Sequence, residues 1–212
     1  MVHRTPFFLP LLYSTLTWRL PSQSNTLYLT FDDGPVPGPT DFVLETLKKF
    51  GAKATFFCIG ENIRKHSSLL KEIADNGHAI GNHTFNHING WRTSAENYRS
   101  NIELCRNEIV AQLGLAFDIQ VLFRPPFGRI SRHQIRILSD YRIIMWDVLS
   151  IDYNKDLKPE KCLRNTIAAS RPGSIIVFHD SYKAERNLTY ALPRFIEHYM
   201  DQGFVFNTIG FA

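Results

Sequence analysis

The stretch "TLYLTFDDGP" (residues 26–35) decides how the rest of this 212-residue chain is read. An apolar, strand-forming run ends in two adjacent carboxylates, followed at once by Gly and Pro. Side chains in a strand alternate faces, so Asp32 and Asp33 would point apart if the strand continued. They reach one space only if the strand stops there and the chain turns, which Gly34 and Pro35 allow. Two carboxylates held close resist joint ionisation unless a cation joins them. The remainder of the chain should therefore supply one.

Outward from this run, strand-like segments recur at 53–60, 78–83, 119–124, 142–148, 173–179 and 204–209. Helical patterns fall between them, near 40–50, 65–76, 94–114, 131–139, 159–170 and 189–202. Thr40 with Asp41, Ser94 and Pro159 suit helix starts, and Gly51, Gly77, Gly114 and Gly203 suit helix ends. Strict alternation of near-continuous apolar strands with helices predicts a parallel sheet covered by helices. About seven strands in this length fit either an open doubly wound sheet or a slightly undersized (β/α) barrel. With no linker, repeat or low-complexity tract, one domain is expected over residues 25–212.

Residues 1–24 combine a basic start with an apolar stretch, as a signal or anchor would. Pro6, Pro10 and Pro21 interrupt that stretch, Arg19 follows it closely, and no small-residue cleavage site is evident. The expectation is an apolar leader packing on the domain, with membrane association as the alternative and a cytoplasmic location favoured. The net charge of +4 comes from scattered Lys and Arg, with no basic stripe to read nucleic acid. Cys58, Cys105 and Cys162 form no CxxC pair and read as buried free thiols.

Polar residues gather where the apolar runs end. Asp32 and Asp33 end the first, His83 and His87 follow the third, and Arg124 ends the fourth. Asp152 follows the fifth, and His179 with Asp180 ends the sixth. In either parallel architecture the carboxyl ends of the strands are where ligands bind. "HTFNH" sets His83 and His87 at i, i+4, and Asp33 can complete a three-ligand site for a divalent metal. An isolated HxxxH is more often a surface pair; the nearby Asp pair changes that balance. Asp32 is then free to act as general base, with His179 as the acid for a leaving group. Arg124 can hold Asp32 ionised, and the stiff "RPPFG" loop can fix the Phe127 N–H as an oxyanion donor. In "MWDVLSIDY", Asp152 can hydrogen-bond His179 and raise its pKa, while Trp146 and Tyr153 wall a small pocket. Helix capping by Asp152 and core packing by Trp146 remain open at this point. Trp91 after "HING" suits the rim of a sugar site or an ordinary loop equally well.

Together these motifs resemble the polysaccharide deacetylase family, carbohydrate esterase family 4 with its nodulation-type deacetylase domain. The resemblance covers roughly residues 25–210, with motifs in family order. "TFDDGP" is similar to the first motif, "HTFNH" to the H-[ST]-x-x-H metal motif, "RPPFG" to the third, "WDVLSIDY" to the fourth and "VFHDS" to the fifth. It implies a distorted, incomplete (β/α) barrel and metal-dependent N-deacetylation, with zinc or sometimes cobalt held by Asp33, His83 and His87. It also implies Asp32 as base, Arg124 orienting it, Phe127 as backbone oxyanion donor, His179 as acid and Asp152 tuning that acid. Pro126, Trp146, Tyr153 and Val177 would form the substrate pocket. The implied substrates are N-acetylglucosamine-containing glycans of the chito-oligosaccharide or peptidoglycan type. Leu149 stands where an acidic residue is frequent, and Tyr153 where Trp is typical, so the acetyl pocket should differ in shape. Rival readings are an amidase or O-deacetylase acting on a small molecule, and a non-catalytic glycan-binding module.

Overall fold

The computed structural model describes residues 3–21, 25–115 and 122–210. Its sheet has the order β5-β4-β3-β2-β1-β7-β6, and every one of these pairs is parallel. The strands are β1 (Thr26–Asp32), β2 (Ala54–Cys58), β3 (Ala79–Asn82), β4 (Leu122–Phe123), β5 (Arg142–Ile143), β6 (Val148–Leu149) and β7 (Ile175–His179). A short β8 (Val205–Phe206) pairs in parallel with the start of β1. The sheet curls into the expected incomplete barrel, and helices cover its outer face: α2 (Pro39–Phe50), α3 (Gly60–Lys65), α4 (Ser67–Asp75), α5 (Ala95–Leu113), α6 (Arg132–Ile137), α7 (Pro159–Ala169) and α8 (Glu185–Met200). A five-residue α1 (Phe8–Leu12) precedes β1.

The alternation within β1 answers the question its sequence raises. Leu27, Leu29 and Phe31 join the core under the helices, with Val43, Leu47, Phe56, Phe178 and Phe195. Tyr28, Thr30 and Asp32 lie on the other face, towards the barrel interior, where Tyr28 meets Phe57, Leu122, Ile144, Ile175 and Ile209. Both faces are therefore apolar along most of the strand, which is why the run reads as continuous rather than alternating. Phe31 stacks on Phe56 at 5.1 Å. Truncating such a ring to Ala costs about 3–5 kcal/mol.

Four elements differ from the sequence expectation. The run 142–148 is not one strand but two: β5 pairs with β4, and β6 pairs with β7, at opposite edges of the sheet. Residues 144–147 carry the chain across the gap, and Thr17 bridges to Ile144 while Arg4 bridges to Val148. Each half buries one of its two residues and half-buries the other, so the burial pattern gives no sign of the break. The helix expected over 65–76 is α4, and a short helix that the pattern did not show, α3, precedes it, set apart at His66, whose backbone leaves the helical region. Thr40 does not cap α2; Gly38 occupies that position, Pro39 begins the helix, and the Asp41 carboxylate accepts from the Gly38 N–H. Ser94 does cap α5, and Pro159 begins α7. α8 begins four residues earlier than the pattern near 189 suggests. Of the run 119–124, residues 119–121 lie outside the described residues. No helix among the described residues is long and apolar enough to cross a membrane. The three cysteines are buried and free.

Candidate active site

Parallel registry brings the first two groups together. Asp32 on β1 is the direct partner of His179 on β7, two positions beyond the pair Thr30 and Val177. All four point into the same end of the barrel, because side chains two apart share a face. Arg124, immediately after β4, lies across from them with no solvent exposure at all. Its Nη1 donates to Asp32 Oδ1 at 2.7 Å and to Thr30 Oγ1 at 2.6 Å. Its Nε and Nη2 donate to the carbonyls of Ile144 and Met145, at 3.3 and 3.0 Å. The guanidinium also lies 4.1 Å from the Phe57 ring centroid. A buried cation is tolerable only when its donors are used in this way. Burial alone would push the Asp32 carboxyl up; Arg124, helped by His83 and His179, more than offsets it and holds Asp32 below its ordinary value.

Asp33 leaves the strand with φ +82°, a region few non-glycine residues adopt. That turn is what lets neighbouring carboxylates face one space. Several contacts hold it. Asn62 donates to the Asp33 carbonyl at 2.7 Å. The buried Asp180 carboxylate accepts from the Gly34 N–H at 3.0 Å and from the Thr40 hydroxyl at 2.6 Å, and burial pushes its carboxyl up to about 8. Thr40 in turn accepts from the Val36 N–H at 2.8 Å. A Cβ on Gly34 would stand 2.0 Å from Asp180 Oδ2, so this glycine is demanded by a close approach. Gly34→Ala should destabilise the fold by about 1–3 kcal/mol as an overpacked position does, seen as a lower thermal unfolding midpoint. An unchanged midpoint would contradict this account of the turn.

His83 and His87 follow β3, and their Nε2 atoms converge on Asp33. The Asp33 Oδ1 atom lies 3.8 Å from His83 Nε2 and 3.2 Å from His87 Nε2. His83 Nδ1 is 2.8 Å from the Arg124 carbonyl. A carbonyl only accepts, so the ring proton sits on Nδ1 and the Nε2 lone pair is free to face Asp33. Burial lowers the His83 imidazole to about 4, keeping it neutral at ordinary pH. Asp33 Oδ1 is buried with no hydrogen-bond partner, which would be costly unless something else satisfies it. One ligand atom from each of these three residues lies within 4.8 Å of the others. Two imidazole nitrogens and one carboxylate oxygen around an orphaned acceptor fit a divalent transition metal such as zinc.

On the opposite wall, His179 Nδ1 lies 2.7 Å from Asp152 Oδ1, and the His179 backbone N–H donates to Asp152 Oδ2 at 2.8 Å. Burial opposes protonation of this ring, but the Asp152 charge and hydrogen bond prevail and raise it to about 9. Asp152 is itself held, since Asn187 donates to its carbonyl at 2.8 Å. Asp152 is thus a partner of His179, not a helix cap. Phe127 sits in the turn after Arg124 with φ +60°, and its ring lies 4.6 Å from that of His87. Its N–H takes no part in the turn's hydrogen bonds, which run from Gly128 N to Pro125 O and from Arg129 N to Pro126 O.

The cavity between these walls measures about 320 Å³. Asp32, Asp33, His83, His87, Phe127 and His179 surround its floor, and Trp146, Tyr153 and Val177 line it as expected. Pro126, expected there, is buried in its turn and is not part of the lining. Trp91 stays exposed beyond the rim, with the Arg129 guanidinium 5.3 Å from its ring. Asp147 lies elsewhere, paired with Arg171 and Ser174. Thr30, Thr40, Asn62 and Asp180, which hold Arg124 and the turn at Asp33, and Arg129 and Lys183, which line the mouth, have no part in the site expected from the sequence. Asp180 was visible as a polar residue at a strand end; the others carry no spacing signal.

Similarity to known proteins agrees with this geometry. A family model described as polysaccharide deacetylase matches residues 19–146. A peptidoglycan-N-acetylglucosamine deacetylase of Bacillus cereus is 37% identical over 155 residues, covering 72% of this chain. The chain spans only about half of that relative, 55% of its length. A chitooligosaccharide deacetylase of Azorhizobium caulinodans is 33% identical over 164 residues, covering 76% of this chain and 77% of the relative. Among solved structures, the Bc1960 peptidoglycan N-acetylglucosamine deacetylase, in complex with 4-naphthalen-1-yl-N-oxidanyl-benzamide, superposes with a TM-score of 0.87 at 31% identity. That match covers 97% of this chain and 95% of the other. With its motifs, its curled parallel sheet and a family match over more than half its length, the chain belongs to the polysaccharide deacetylase family.

Proposed function

We propose that this protein is a metal-dependent hydrolase that removes N-acetyl groups from N-acetylglucosamine-containing glycans, of the chito-oligosaccharide or peptidoglycan type. On this reading residues 25–212 form the catalytic unit, and Asp33, His83 and His87 hold zinc, or cobalt in its place. The observation that carries the reading is that Asp32, held by Arg124 at 2.7 Å, and its register partner His179, held by Asp152 at 2.7 Å, line one cavity with the Asp33–His83–His87 cluster. Two titratable groups pushed in opposite directions mark a base and an acid.

A metal held by Asp33, His83 and His87 would supply Lewis acidity here, of the kind that lowers the pKa of water from about 15.7 towards roughly 7. Asp32, kept ionised by Arg124, takes the proton from the attacking water. The Phe127 N–H donates to the oxygen that gains charge as the carbonyl becomes tetrahedral. His179, protonated through Asp152, gives its proton to the sugar nitrogen as the carbon–nitrogen bond breaks. The products are acetate and a free amine, with one water consumed. Each of the two proton transfers is worth about 10²–10⁴ in rate. Trp146, Leu149, Tyr153 and Val177 shape the small apolar space that admits the acetyl methyl.

Acetate release from chito-oligosaccharides and peptidoglycan fragments tests the reaction. Release from either class supports the reading; no release from any N-acetylated glycan by metal-loaded protein contradicts it.

The acid assignment has its own pH signature. His179 must be protonated to act, so kcat/KM should fall as pH rises through its value of about 9. Asp152→Asn removes the charge that raises it and leaves burial, which lowers it. The alkaline limb should then move to lower pH, towards or below the ordinary histidine value of 6.5. An unmoved alkaline limb would contradict the role given to the pair.

A further inference from the structure

A second feature lies at the opposite edge of the barrel and shares no lining residue with the catalytic cavity. Residues 7–12 expose four large apolar side chains: Phe7 (83%), Phe8 (47%), Leu11 (74%) and Leu12 (59%). No other six-residue stretch among the described residues exposes more than two. α1 buries none of its own residues. The segment is nevertheless held in place. Thr5 N–H donates to the Asp147 carbonyl at 2.8 Å, Thr17 pairs with Ile144, and Leu16 is buried beside Phe123 and Ile143. An anchored segment that displays Phe and Leu outward presents a fixed apolar ridge.

Beside that ridge lies a cleft of about 830 Å³, lined by Phe7 and Pro10 and by four arginines: Arg4, Arg19, Arg142 and Arg171. The one carboxylate in its lining, Asp147, is buried and already engaged by Arg171 and the Ser174 hydroxyl. The other three guanidinium groups are oriented by neutral acceptors: Arg4 by the Ala169 carbonyl, Arg19 by the Pro172 carbonyl at 3.0 Å, and Arg142 by the Gly210 carbonyl. A carbonyl orients a guanidinium without neutralising it, and each group has five N–H donors. Net positive charge and unused forked donors therefore adjoin the apolar ridge.

We propose that this edge docks on an anionic phospholipid bilayer. Phe7, Phe8, Leu11 and Leu12 enter the interface between headgroups and acyl chains, and the arginine cleft takes lipid phosphates. The charge complementarity selects the partner, because a purely apolar partner would leave the arginines unpaired and a soluble anion would leave the ridge in water. Arg142 begins β5 and Arg171 precedes β7, so the cleft faces away from the carboxyl ends of the strands. A bilayer at this edge leaves the catalytic mouth open on the far side, towards glycan outside the membrane plane.

Vesicle co-sedimentation of the full chain tests this, with phosphatidylcholine vesicles compared with vesicles that also contain phosphatidylglycerol. Binding should need the anionic lipid and weaken as salt rises. Arg19→Gln with Arg142→Gln should weaken it about 25-fold, at roughly fivefold per arginine near the surface. Phe7→Ser with Leu11→Ser should abolish it without lowering the thermal unfolding midpoint, since both side chains are exposed. Equal binding to both vesicle types, or binding unaffected by either pair of substitutions, would overturn the proposal. So would full displacement by glycerol phosphate at the same phosphate concentration, which would assign the cleft to soluble phosphate esters. Self-association of the chain that Phe7→Ser with Leu11→Ser disperses, with no vesicle binding, would assign the ridge to a second copy and also overturn it.

Discussion

Asp32→Asn should lower kcat by about 10²–10⁴-fold, the worth of a general base, while the protein keeps one equivalent of metal. The substitution is nearly isosteric, and the amide oxygen can still accept from Arg124 Nη1, so the local packing should persist. The three residues that converge on the metal position do not include Asp32, whose Oδ2 lies 4.0 Å from His83 Nε2. Loss of rate with metal retained would separate the base from the ligand set. Near-normal turnover would remove Asp32 from the role, and parallel loss of metal and rate would mean that it belongs to the ligand set. Metal content by atomic absorption, beside kcat on one glycan, decides between these outcomes.

Arg124→Met should damage the fold about as much as the loss of a large core side chain. Arg124 has no exposure and donates to Asp32, Thr30, Ile144 and Met145. Methionine fills part of the volume but leaves the Asp32 carboxylate buried without its cation, a loss of about 3–5 kcal/mol. A domain with only about 5–15 kcal/mol in total feels that strongly. The sign of the pH dependence follows from the shift. The folded pKa of Asp32 is depressed, so the pair stabilises the protein above the ordinary value of 3.8 and loses that contribution as pH falls through the folded value. Without Arg124 the largest opposing charge is gone and only the weaker effects of His83 and His179 remain against burial, so the acidic limb of the rate profile should move to higher pH. Arg124→Met with Asp32→Asn should be less destabilised than the sum of the single variants, because no buried charge then lacks its partner. Denaturant unfolding of the three variants measures this, and strict additivity would contradict the pairing.

The contrast between these two residues and their supports explains what the sequence could and could not convey. Asp32, Asp33, His83, Arg124 and His179 were legible because each ends or directly follows an apolar strand. Parallel strands deliver such residues to one edge whatever the order of the strands in the sheet. The parallel, helix-covered sheet was legible in its β1 and β7 runs, whose two faces are both buried, while its closure into an incomplete barrel was legible only through the family resemblance. The division of residues 142–148 was not, because a strand pairing with β4 and one pairing with β7 bury their side chains equally well. Thr40 and Asp180 meet across 140 positions of sequence, and Thr40 looked like a helix cap because the same hydroxyl chemistry serves both purposes. Arg129 and Lys183 reach the mouth of the cavity on loops, where neither periodicity nor spacing constrains a side chain's direction.

The proposed metal dependence is tested most directly by one measurement. Protein stripped with a chelator, then returned to one equivalent of zinc or cobalt, is assayed for acetate release from an N-acetylated chito-oligosaccharide. No release is expected from the stripped protein, and restored release on reloading, with His83→Ala unable to recover because a ligand is missing. Equal acetate release before and after stripping, with metal demonstrably absent in the first case, would contradict the assignment of Asp33, His83 and His87 as the centre on which catalysis depends.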